Sequence, residues 1–240
     1  MTPPPDVPAL LAHVARSGDR LTAALDRLTD PDVRAPSTLP GWTRGHVITH
    51  VAGAVDAYVW LLGLARTGEA PGPRGDAASL AEAVERGSAR SAGELAGDLR
   101  GRLARLAEEA AAMPPAAWDT LVPALAGWRH PAWFTLHRCW RELETHHVDL
   151  DLGRRPADWP DAYVRWALDD TLDGLRARGF AAGWVEATDL GRRWELSPGG
   201  PGVAAPGHAL LGWLAGRAPA PGPDLPAPPA WPLPPYPGWS

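Results

Sequence analysis

Two carboxylates and two histidines fall within six positions of RELETHHVDL, residues 141–150: Glu142, Glu144, His146 and His147. Such a group is either a polar helix face or a metal site. Residues four apart on a helix lie about 40° apart around the axis, so Glu142 and His146 share a face. Cys139, Leu143 and Leu150 fall on the same side, which turns that pair toward apolar surroundings. A buried carboxylate there is costly unless a cation or strong donors compensate it. Glu144 and His147 are three apart, point elsewhere and form the weaker ligand pair. His147 and Asp149 are candidates to support a ligand imidazole from behind.

A Glu and a His four apart also serve as a simple helix ion pair. The metal reading needs a third protein ligand and one open position for chemistry. His50, in GWTRGHVITHVAGAV among Val47, Val51 and Ala54, offers that ligand, the alternative being a core histidine with satisfied hydrogen bonds. His46, four residues earlier in the first turn, is read as a supporting or surface residue. His130 and His137 are read as structural. Cys139 is read as a packed small residue, because a nucleophilic thiol needs a basic neighbour. There is no GxSxG, no P-loop and no GxGxxG after a strand.

The elements that must carry these residues follow from apolar periodicity. A first helix is expected from about Val7 to Leu28, with Leu10, Val14, Leu21 and Leu25 on one stripe. A second runs from Thr43, an N-cap, to about Arg66 before Gly68. A third covers about Ser79 to Ala112, weakened by Gly87, Gly93, Gly97 and Gly101 and open to division into two pieces. The fourth begins after Pro131 and continues to about Leu150. Four amphipathic helices imply a bundle. MPPAAWDTLVPALAGWRH, between the third and fourth, is long enough to hold some order. Beyond Gly153 the pattern changes to an amphipathic helix in DAYVRWALDDTLDGLRARGF, a hairpin around Leu190 and Gly191, and a helix in HALLGWLAG. Residues 219–240 are Pro-rich, with Trp231, Tyr236 and Trp239 as surface anchors.

Composition narrows the function. The 240 residues carry a net charge of −5, and all 23 basic residues are Arg. That charge, without a basic run, argues against a nucleic-acid or membrane surface. No apolar run approaches the ~20 residues that span a bilayer, and the N-terminus lacks a signal-peptide pattern. A single cysteine excludes an intrachain disulfide and fits a reducing, cytoplasmic setting.

LPGWTRGHVITHVAG followed by RELETHHVDL resembles the mycothiol-dependent maleylpyruvate isomerase family, one of the DinB-like metal-binding four-helix bundles. The resemblance continues through DLGRRPADWP and GHALLGWLAGR. It implies an α+β protein: a bundle over residues 1–153, a smaller C-terminal α/β domain over 154–218, and the tail 219–240. It further implies zinc, or another divalent metal, held by His50, Glu142 and His146, with Arg217 of the C-terminal domain acting in catalysis. The implied partners are a small-molecule substrate and mycothiol, a low-molecular-weight thiol. The implied reaction is conversion of maleylpyruvate to fumarylpyruvate by reversible thiolate addition. Two other readings stay open at this point. One is a thiol S-transferase of the same fold acting on another electrophile; the other is a non-enzymatic binding protein that uses the Pro-rich tail.

Overall fold

A computed structural model describes residues 6–125, 127–222 and 225–228. The chain forms two compact units, Met1–Leu152 and Gly153–Ser240.

The first unit contains α1 (Val7–Leu25), α2 (Asp30–Arg34), α3 (Arg44–Thr67), α4 (Ala77–Ser88), α5 (Ala92–Ala111), β1 (Leu121–Pro123), β2 (Arg129–Pro131) and α6 (Ala132–Asp149). Short polar side chains set the helix starts. Asp6 accepts from the Ala9 N–H at 3.0 Å, Thr43 from that of His46 and Ser91 from that of Glu94. Each satisfies a donor the helix itself leaves unpaired. Gly68, at φ +77°, ends α3 in the left-handed region that glycine occupies without strain.

Four long helices close the bundle. α1 and α3 each pack against both α5 and α6. The expected first helix stops at Leu25, and Thr29 then caps the short α2 with a reciprocal Asp32 contact. The expected third helix is divided into α4 and α5, because Ser91 starts a new helix with its own capping box. Gly87 has a packing reason: a Cβ there would lie 2.4 Å from Thr49 Cγ2. Gly45 makes the reciprocal approach, 2.4 Å from the Ser88 carbonyl oxygen. Two glycines therefore seat α4 against the first turns of α3, the turns that carry His46 and His50.

α3 is 24 residues long and apolar enough by composition to cross a membrane. It is the helix at the centre of the bundle, with Val47, Val51, Val55, Leu61 and Leu62 buried. The long connection after α5 holds a 3₁₀ turn and the antiparallel β1–β2 pair, in which Val122 faces His130.

The second unit contains α7 (Asp161–Ala177), β3 (Trp184–Ala187), β4 (Arg192–Glu195), β5 (Gly202–Ala205) and α8 (Gly207–Leu214). β3 is central, antiparallel to β4 through the expected turn and parallel to β5. The β5 segment, GVAA, carries too little β-branched or aromatic character to be read as a strand. Helices with a small mixed sheet make the chain α+β. Among the described tail residues, 219–222 and 225–228, there is no helix or strand; Trp231, Tyr236 and Trp239 lie outside the described residues.

Candidate metal centre

Arg44, in the first turn of α3, joins that end of the helix to the last turn of α6. Its Nε donates to the Leu150 carbonyl at 2.6 Å and its Nη2 to that of Asp151 at 3.1 Å. The Thr38 N–H donates to the Asp149 carbonyl at 2.9 Å. A cationic side chain is well suited to these otherwise unpaired C-terminal carbonyls. With the start of α3 set against the end of α6, His50 comes to face His146.

The three expected ligands converge. Glu142 Oε2 lies 3.4 Å from His50 Nε2 and 3.1 Å from His146 Nε2. One ligand atom from each of the three falls within 4.8 Å of the others. The two imidazoles meet edge to face, with ring centroids 4.9 Å apart. Tetrahedral zinc, with bonds near 2.0–2.1 Å, separates neighbouring ligand atoms by about 3.3 Å. Both carboxylate–imidazole distances fit that spacing. Two nitrogens and one carboxylate also form a donor set that several divalent ions accept.

Electrostatics agree with the donor set. Burial acts to raise the Glu142 carboxyl, but His146 and His50 outweigh it and hold it well below the usual carboxylate range. Burial acts to lower His146, but hydrogen bonds to Asp149 and Glu142 carry it up to about 9. Without a metal, a proton on His146 thus supplies the positive charge the site demands, and a metal ion must displace it. The buried Asp149 Oδ2 lies 2.9 Å from His146 Nδ1. That bond keeps the Nδ1 proton in place and leaves the Nε2 lone pair for a ligand bond. Asp149→Asn is expected to lower metal affinity about 10- to 100-fold, read by competition with a chromogenic chelator; unchanged affinity would remove Asp149 from this role.

Two further side chains complete the surroundings. Tyr58 donates from its hydroxyl to Glu142 Oε1 at 3.3 Å. Burial and the neighbouring Glu142 push its pKa up, so it stays protonated as a donor. Trp42 packs its ring 5.4 Å from that of His50. By type alone Tyr58 fits the apolar stripe of α3 with Val47, Val51 and Ala54. Its signal was position: eight residues from His50, two turns along the same face.

The other candidates lie outside the triad. His46 caps α3, its Nδ1 accepting from the Thr43 N–H at 3.2 Å and its Nε2 lying 3.3 Å from Glu85. His130 and His137 are buried, and burial pushes their pKa values down to about 4 and about 3. His147 is buried as well. Cys139 is fully buried, which pushes its thiol upward and leaves it unsuited to nucleophilic attack. Arg217, in the second unit, donates from Nη1 to the Ala215 carbonyl at 2.6 Å.

Glu144 points away from the triad, as its spacing implies, and is nonetheless buried. It is the most buried carboxylate of the RELETHH stretch, with 1% of its side chain exposed against 26% for Glu142. It accepts from Ser17 and Arg20 of α1, and Trp140 Nε1 donates to Ser17 Oγ at 3.1 Å. α6 is covered by α1 on one side and α3 on the other, so a residue pointing away from the metal is buried too.

Comparison with known proteins adds the family. Solved structures that share the fold include the mycothiol-dependent maleylpyruvate isomerase and a histidine-to-alanine mutant of it. Each is 24% identical with a TM-score of 0.84, over 95% of this chain and 98% of the other. No curated protein matches the chain. The family model of the mycothiol maleylpyruvate isomerase N-terminal domain matches residues 8–151, the span that contains all three converging side chains. The chain belongs to the mycothiol maleylpyruvate isomerase family.

Proposed function

We propose that this protein is a metal- and mycothiol-dependent enzyme that isomerises maleylpyruvate to fumarylpyruvate. The convergence of His50, Glu142 and His146 inside the family-matched domain carries the proposal. A bound divalent ion would favour the thiolate form of a thiol in its open position, and the thiolate is a nucleophile able to add reversibly to a cis double bond and free it to rotate.

The chain's own residues prepare this chemistry. His50 and His146 would each offer a ring nitrogen to the ion, and Glu142 would bring the carboxylate. Asp149 fixes the tautomer and direction of the His146 ring. Tyr58 holds the second Glu142 oxygen and so limits rotation of the carboxylate. Trp42 packs its ring beside His50. Arg217 is assigned to a substrate carboxylate by the resemblance, and a planar guanidinium suits that partner. Zinc is the favoured ion for this donor set.

The test is turnover of purified protein with maleylpyruvate, with and without mycothiol. Fumarylpyruvate should form only when the thiol is present. Equal turnover without thiol, or none with metal and thiol supplied, would overturn the proposal. A stable thiol conjugate with a different electrophile, and no isomerisation, would assign the protein to S-transfer instead.

A further inference from the structure

We propose that Arg74 and Arg138 form a carboxylate-binding site within the bundle, beside the metal triad, that receives one end of the substrate. Arg138 lies on α6 one turn before Glu142, so the two share a face of the helix. Its guanidinium carbon stands 5.2 Å from the Tyr58 ring centroid and 5.4 Å from that of Trp128. Tyr58 in turn bonds Glu142, so a single side chain separates Arg138 from the triad. Arg74, in the loop after α3, stands 5.3 Å over the Trp60 ring and donates from Nη1 to the Pro123 carbonyl at 2.7 Å.

The partners of both arginines are neutral. Arg138 Nη1 lies 3.1 Å from His130 Nε2, and His130 Nδ1 lies 2.9 Å from the Pro131 carbonyl. Only a proton on Nδ1 satisfies both contacts, so His130 is uncharged and accepts from Arg138. Burial and the two nearby arginines hold it in that form, with a pKa of about 4. Among the described residues, neither Arg74 nor Arg138 forms an ion pair with a carboxylate. Glu142, the acid on the same face as Arg138, directs its oxygens to His50, His146 and Tyr58.

Both guanidiniums are half-buried and stand against the same β1–β2 pair, Arg74 on the Pro123 carbonyl and Arg138 on His130. Burial and the charge of Arg138 both lower the Arg74 pKa. Such an arrangement carries a standing electrostatic penalty that a bound anion removes. Each guanidinium stands beside an aromatic ring and uses Nη1 on a neutral protein acceptor, and its remaining N–H groups suit a planar carboxylate. Maleylpyruvate carries two carboxylates, and the pair Arg74 and Arg138 would take one of them. The identity of the anion as substrate rests on the proposed function; the affinity for a carboxylate does not.

The experiment is calorimetric titration of maleate into the full-length protein as purified, without thiol, with inorganic phosphate titrated in parallel. Maleate should bind more tightly than phosphate. Arg138→Gln and Arg74→Gln should each weaken maleate by about tenfold or more, as expected for a lost charge-assisted hydrogen bond. Arg66→Gln, which removes a guanidinium paired with Glu109, should bind as the parent does. Circular dichroism checks folding, and Arg138→Lys, which keeps the charge but not the fork, gives a second reading with an intermediate loss. Maleate affinity unchanged in both glutamine variants would overturn the proposal. Binding that survives Arg138→Gln but vanishes in His50→Ala would also overturn it, by assigning the anion to the metal. Maleate binding that depends on Arg138 in a protein that fails to isomerise maleylpyruvate would support this site while counting against the isomerase reading.

Discussion

His50→Ala is expected to yield a folded protein without bound metal and without isomerase activity. His50 is the only one of the three converging residues contributed by α3, so its loss leaves two ligands from one turn of α6. Two ligands cannot define a closed pocket for a divalent ion with one open position. Supporting residues around metal sites are worth about 10- to 100-fold in affinity, and a direct ligand should exceed that. The side chain is 37% exposed, so its truncation opens little of the core and the fold should survive. Elemental analysis after dialysis, paired with the turnover assay, reads both outcomes. His46→Ala is the matched control, since His46 lies one turn away and caps the helix. A His50→Ala protein that keeps one equivalent of metal and full turnover would remove His50 from the site.

The second large effect concerns stability. Glu144→Ala should lower the unfolding free energy by roughly 2–3 kcal/mol while leaving metal content unchanged. The carboxylate is almost fully buried and takes hydrogen bonds from Ser17 and Arg20. Truncation leaves the buried Ser17 hydroxyl without that acceptor. It also leaves a space between α1 and α6 that collapse fills only in part. Arg20 is 37% exposed and can turn to water, so its share of the loss is the smaller one. Glu144→Gln keeps an acceptor in place and should lose less. Urea denaturation of metal-loaded protein measures the difference. A loss below about 0.5 kcal/mol, the scatter of ordinary surface substitutions, would show that Glu144 does not join α1 to α6. Loss of metal would show that its effect reaches the triad. Glu144 sits about 200° around α6 from Glu142, so one helix turn serves assembly with α1 on one side and the metal with α3 on the other.

That division explains what could be read without coordinates. Helical period alone paired Glu142 with His146, because four-residue spacing is a local property of the backbone. It also paired His46 with His50, but both spacings are equally good for a ligand. The apolar stripe of Val47, Val51 and Ala54 favoured His50, and the packing of α3 on α6 supplies the reason: Thr43 occupies His46 at the helix start, and Arg44 draws the next turn against the end of α6. Motif resemblance pointed to His50 for the same reason, since the motif is the record of that packing.

Burial was the least legible quantity. The expectation that Glu142 faces the interior and Glu144 elsewhere treats α6 as having one buried face. It has two, because α1 and α3 cover opposite sides, and a helix with two partners buries polar residues that one-face reasoning sends to solvent. Arg74 and Arg138 went unnoticed for a related cause. They are 64 positions apart in the chain, and nothing local announces that each stands against an aromatic ring beside the β1–β2 pair without a carboxylate partner. β5 was missed because its Gly and Ala residues lack intrinsic strand preference and are held there by pairing with β3.

The sequence by itself determined the long helices in outline, the Thr43 cap, the pair on α6 and the family to which those motifs belong. These depend on spacing and side-chain type within a few turns. The tertiary structure alone decided why His50 rather than His46 meets that pair, which acid binds α1, and where Arg74 and Arg138 stand. Those are meetings between distant segments, and they follow from how helices pack rather than from how any one of them forms.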